Sequence, residues 1–160
     1  MAKARQVPGL DGDDSFRVSA ARVVSVRGDE LFEQSVNVLD TTDIERVHDM
    51  RVATRRLRAV LEIFAPCFEP TLHRGVLSDV KSLADALGER RDPDVHIDLL
   101  QHFAGAVAEA DRPGVDTLVA RLRDDQATGN ATLSDALEEM ERSDLRGRLR
   151  ALCEAAGTPV

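Results

Sequence analysis

Apolar residues recur at helical spacing along almost the whole of this 160-residue chain, and no stretch alternates convincingly as a strand would. That periodicity is the strongest constraint on the fold, because apolar stripes on helices are buried most directly by packing helix on helix. Ala21, Val24, Leu31 and Val38 share one stripe and define a first helix over roughly Ser15 to Leu39. Gly28 counts against it by about 1 kcal/mol relative to alanine. Thr42 and Glu45 have the spacing of a capping box, in which hydroxyl and carboxylate satisfy free backbone N–H groups, so a second helix is expected from about Asp43 to Ala65. Pro66 and Pro70 punctuate the next turn. A third helix from about Thr71 should end at Gly88, a residue suited to the left-handed conformation just past a helix end. Asp92 followed by Pro93 reads as the start of a fourth, running to about Ala110. Asp111 and Pro113 open a fifth, interrupted near Gly129 and Asn130, and Ser143 caps a short sixth that ends near Gly157. Short connections make neighbours antiparallel. The expectation is an all-α antiparallel bundle of about six helices, one domain over residues 15–157 behind a flexible N-terminal tail of residues 1–14.

Composition narrows the class without naming a function. Apolar residues at 42% and charged residues at 31% are values of a globular chain rather than a disordered one. No run approaches the ~18 apolar residues that a spanning helix needs, so no membrane association is expected. The opening "MAKARQVPGLDGDDS" has no apolar segment behind its basic residues and does not read as a secretory signal, which makes the cytoplasm the expected location. Cys67 and Cys153 are far apart and in no metal-ligand spacing, and a reducing compartment keeps both as thiols.

Charge is distributed unevenly. The stretch "VHDMRVATRRLR", Val47 to Arg58, holds one histidine and four arginines in a chain of net charge -8. Residues 46–91 contain nine Lys and Arg against six Asp and Glu, a net +3, so the remainder carries -11. With nineteen arginines and only Lys3 and Lys81 as lysines, the choice of Arg at any one site says little. Position says more. On a helix with His48 at zero, Arg51, Arg55 and Arg58 fall at about 300°, 340° and 280°, whereas Met50, Ala53, Leu57, Val60, Leu61 and Phe64 gather around 180°. The basic strip therefore points away from the core, with Arg56 set apart at about 80°. On this strip only Glu62, four residues after Arg58, offers a carboxylate, so like charges are left facing one another. On the third helix Arg74 and Lys81 share a face, and Arg90 and Arg91 are expected in the loop after Gly88. Antiparallel packing of the second and third helices would line one wall with both strips. Two readings follow: arginines salt-bridged to neighbouring helices, or a groove of planar guanidinium groups for phosphate oxygens.

The residues themselves carry a resemblance. "VHDMRVATRRLRAVLEIF" resembles the opening signature of the CHAD family, the conserved-histidine α-helical domains, and "LADALGERRDPDVHIDLL" resembles that family's second signature, a glycine followed shortly by Arg-Asp-x-Asp-Val. Together they span Val47 to Leu100. The resemblance implies a helical domain that binds inorganic polyphosphate along a basic channel, with no catalysis established for the domain alone. By position, His48, Arg51, Arg55, Arg56 and Arg58 match the first motif, and Arg91, Asp92 and Asp94 the second; Lys81 and Arg74 are basic positions on the helix between. Pro93 departs from the family, which more often has an aliphatic residue there. The larger departure is that typical members have two helical halves, and residues 112–156 hold no second His-x-x-Arg-x-x-x-Arg-Arg. Two chains about a twofold axis, each supplying half of the channel, are the expected remedy.

Rival chemistries find less support in the sequence. None of the four histidines, His48, His73, His96 and His102, lies three or four residues from another, as a helical ligand pair requires, so no metal and no cofactor are expected. His48 reads instead as a hydrogen-bond donor beside the arginines. A metal-dependent phosphohydrolase would need carboxylates at the phosphate site, and Asp92 and Asp94 are the only local pair in the second motif. There is no G-x-x-x-x-G-K-[ST] loop and no G-x-S-x-G elbow. The net charge, with five Phe and neither Trp nor Tyr, argues against a dedicated nucleic-acid binder. A non-catalytic polyphosphate-binding module is the leading expectation. The alternatives are a metal-dependent polyphosphate or phosphate-ester hydrolase and a structural module whose arginines pair with a partner protein.

Overall fold

The computed structural model describes residues 3–157; the first two residues of the N-terminal stretch lie outside them. Five α-helices run through the described residues, with no strand among them: α1 (Phe16–Gln34), α2 (Ile44–Ile63), α3 (Pro70–Ala104), α4 (Arg112–Arg142) and α5 (Leu145–Gly157). Short 3-10 turns, Ala65–Cys67 and Glu109–Asp111, lead into α3 and α4.

The all-α expectation holds, with fewer and longer helices than the sequence suggested. Ser15 caps α1, its side chain accepting from the Val18 amide at 3.3 Å, but that helix ends at Gln34 and the chain turns through Asn37 at a positive φ of 56°. The Thr42–Glu45 capping box does not form. The Thr42 hydroxyl donates to Asp40 at 2.7 Å instead, and Asp43 caps α2 by accepting from the Glu45 amide. Glu69 caps α3 through the amides of Thr71 and Leu72, with Pro70 in the first helical position, where its missing N–H costs no hydrogen bond.

The expected break between a third and a fourth helix is absent. Gly88 and Pro93 both lie inside α3, and Arg90 and Arg91 are helical rather than in a loop. A proline inside a helix costs about 3 kcal/mol. What offsets it is packing on α4, where Arg90, Pro93, Asp94 and Ile97 are all buried. Pro93 deprives the Glu89 carbonyl of its helical donor, and Gly129 of α4 comes against that same carbonyl: a Cβ at Gly129 would lie 3.0 Å from Glu89 O and 3.0 Å from Arg90 Cα. The sequence breaks expected at Gly129 and Asn130 are therefore contact points within a continuous α4. Ser143 follows α4, and Asp144, at φ 49°, supplies the carboxylate that accepts from the Gly147 amide at the start of α5.

The main core gathers Val24 and Leu31 of α1, Met50 and Leu57 of α2, Val80 and Leu87 of α3, Leu133 of α4, and Leu149 and Leu152 of α5. Gly28 admits the Leu149 side chain, so its cost to α1 is offset by close packing on α5. A second, smaller core of Ile97, Val115 and Val119 joins the end of α3 to the start of α4. Ahead of α1, Arg5 hydrogen-bonds Glu30 and Glu33, and Arg22 reaches back to Asp14. No helix among the described residues is long and apolar enough to cross a membrane.

Candidate functional site: a basic face shared by α2 and α3

The amphipathic pattern of α2 is realised as read. Met50, Ala53, Leu57 and Leu61 are buried, while Arg51 and Arg55 are exposed and form no ion pair among the described residues. Arg58 differs, because its Nε donates to Glu62 Oε1 at 3.0 Å. Lys81 of α3 reaches the same oxygen at 3.4 Å. Glu62 thus ties the end of α2 to the middle of α3 and brings the two basic strips onto one face. Its carboxyl is held below the usual range, first by the hydrogen bond from Arg58 and then, against the opposing effect of burial, by Lys81.

At the other end of α2, Arg91 stands between helices. Its side chain is only 14% exposed, and it lies 3.9 Å from Glu45 of α2 and 3.9 Å from Asp94. Pairing of Glu45 with Arg91 and of Glu62 with Lys81 shows α2 and α3 running antiparallel. Arg74 is exposed near the start of α3, close to the capping Glu69.

Two motif positions do not join this face. Arg56 turns toward α1, where Glu30 is buried; burial works to raise the Glu30 carboxyl, but the Arg5 amide, Arg27 and Arg56 outweigh it and hold it low. Asp94 is buried in the α3–α4 contact, while Asp92 is exposed. The residue that sequence reasoning missed is Arg90. It is fully buried, donates from Nη1 to Asp94 and from Nε to Asn130 Oδ1 at 3.0 Å, while Gln126 also donates to Asp94. Asn130 in turn donates to the Leu39 carbonyl at 3.3 Å, so this network fastens α3 to α4 and to the loop before α2. The signal was the i,i+4 spacing of Arg90 and Asp94, invisible once a helix break was placed between them.

His48 is half-buried at the edge of the basic strip and makes no hydrogen bond or ion pair among the described residues. One of its ring nitrogens and one carboxylate oxygen each of Glu45 and Asp49 lie within 4.8 Å of one another. A search for histidine pairs could not find this cluster, since the companions are acidic. His73 is structural: its Nε2 lies 2.8 Å from the Leu61 carbonyl and its ring stacks on Phe68. Cys67 and Cys153 are free thiols.

Compared with known families, the chain matches the family model described as CHAD domain over residues 25–160. No curated protein matches it.

Proposed function

The chain belongs to the CHAD domain family, and from that premise we propose that it binds inorganic polyphosphate, without hydrolysing it, on the basic face of α2 and α3. CHAD domains are associated with polyphosphate-related proteins. The observation that carries the reading is that Arg51 and Arg55 stand exposed without acidic partners while Arg58 and Lys81 share one carboxylate. Guanidinium groups left in this state offer planar donors to phosphate oxygens. A face satisfied internally would instead pair each cation, as Arg148 is paired with Asp79. His48 and Arg91 border the strip, and Arg74 extends it along α3. Arg56, engaged toward α1, supports the helix rather than the ligand. In this reading the protein works in the cytoplasm, and a second copy about a twofold axis supplies the opposite wall of the channel.

Long-chain polyphosphate should bind with an affinity that falls steeply as salt rises, because several counterions are released together. The double variant Arg51→Glu/Arg55→Glu should lose that binding while keeping its helicity. Retained binding in the double variant would move the site elsewhere. Particle mass followed in the same titration tests the twofold assembly, and release of phosphate from polyphosphate in added magnesium or manganese would replace binding by hydrolysis.

A further inference from the structure

The outer side of α3 changes character along its length. On a helix turning about 100° per residue, Arg74, Lys81, Asp92, Val95 and Phe103 all lie within about 40° of Leu99. Up to Asp92 this ridge carries charge. Beyond it Val95, Leu99 and Phe103, four residues apart, stand 47%, 64% and 53% exposed. Glu45 sets the start of α2 level with Arg91, so the last turns of α3 project past α2 and rest on α4 through the small core of Ile97, Val115 and Val119. The apolar row runs along the flank of this projecting hairpin. We propose that Val95, Leu99 and Phe103 are the contact through which two copies of this chain associate about a twofold axis, their α3 helices running in the same sense.

The row is its own complement. Side chains at i, i+4 and i+8 form a ridge inclined to the helix axis, and two identical ridges interdigitate at a crossing of about -50°, with Leu99 nearest the twofold axis. Between Asp92 and Phe103 the ridge holds no charged side chain, so a strongly charged partner gains nothing there. Elsewhere on the described surface the large exposed apolar residues fall one to a helix, Phe16 in α1, Ile63 in α2 and Leu118 in α4, or singly in loops. No other helix therefore presents a matching row, and a second copy does. The three side chains leave roughly 300 Å² open on each chain, a sufficient apolar core for a standard interface of about 800 Å² per partner, with Asp92, His96 and His102 as its polar rim. The same ridge carries Arg74 and Lys81 toward its other end. Pairing in the same sense brings the basic faces of both copies to one end, across the axis from each other, as the two walls of the proposed channel. That consequence rests on the polyphosphate reading; the association does not.

Sedimentation equilibrium of the full chain without polyphosphate should show a dimer by about 100 μM. Leu99→Asp should weaken association by at least about 100-fold, since the twofold brings the new charge into the contact twice. Leu118→Asp, on another helix, should leave it unchanged, and circular dichroism should report both variants folded. Val95→Cys should cross-link to its own copy on mild oxidation, whereas helices running in opposite senses would set Val95 against Phe103. The parent chain, with only Cys67 and Cys153, should not cross-link. A parent chain that is monomeric at about 100 μM, or a dimer equally stable in Leu99→Asp, overturns the proposal; an intact dimer without the Val95→Cys link overturns the shared sense. A dimer indifferent to polyphosphate would leave this contact standing and remove the polyphosphate reading.

Discussion

Gly88 and Gly129 are both interior helical glycines, yet alanine should act on them in opposite directions. Replacing glycine by alanine inside a helix gains about 0.8 to 1.0 kcal/mol by restricting the unfolded chain and favouring helical backbone. At Gly88 a Cβ meets nothing within 4 Å, so Gly88→Ala should keep nearly all of that gain and raise the melting temperature by about 2 to 4 °C. At Gly129 the same Cβ lies 3.0 Å from Arg90 Cα and Glu89 O and 3.2 Å from Arg90 N, all backbone atoms that move only if α3 moves. Overpacking of this kind costs about 1 to 3 kcal/mol. Set against the propensity gain, Gly129→Ala should be destabilising by up to about 2 kcal/mol. Thermal unfolding followed by far-UV circular dichroism measures both. Loss of stability in Gly88→Ala would mean that the helix ends there after all, in the left-handed backbone the sequence suggested. Equal stabilisation by both variants would mean that α3 and α4 do not approach so closely, and the account of how Pro93 is tolerated would fall with it.

Other outcomes follow from the same structure. Asp94→Ala should cost about 3 to 5 kcal/mol in urea unfolding, because it strands a guanidinium whose side chain is 0% exposed; an unchanged midpoint would show that Arg90 reaches water. Glu62→Gln releases Arg58 and Lys81 from their shared carboxylate, so polyphosphate should bind more tightly and with a steeper salt dependence; weaker binding would place the ligand elsewhere. Burial, with Asp29 and Glu154 adding to it, pushes the Cys153 thiol from 9.0 up to about 12. Its alkylation at pH 8 should therefore be much slower in the native protein than in urea. A raised thiol contributes stability that is full below about pH 9 and is lost as pH rises toward about 12, so alkaline unfolding should ease in that window and Cys153→Ala should blunt the effect.

Much of α2 was legible because its determinants are local. The apolar face, the outward strip and the position of Arg56 off that strip all follow from 100° per residue and the identities of neighbours in sequence. Legibility failed where a local signal competed with another local one or with a distant one. Thr42 had the right spacing for a capping box, but Asp40 two residues earlier took its hydroxyl. Gly88, Pro93 and Gly129 are helix-breaking by composition, yet Pro93 and Gly129 are held in their helices by the contact of α3 with α4, while Gly88 continues α3 with open space around it.

The linear chain decided by itself that this protein would be helical, that positive charge would concentrate between residues 46 and 91, and which side of α2 would carry it, because periodicity and charge need no partner to be expressed. Tertiary structure alone decided which cations remain available and which carboxylates meet them. Glu62 bridges α2 to α3, Arg90 lies sealed against α4, and Arg91 stands between Glu45 of α2 and Asp94, since ion pairing and burial depend on separations through space.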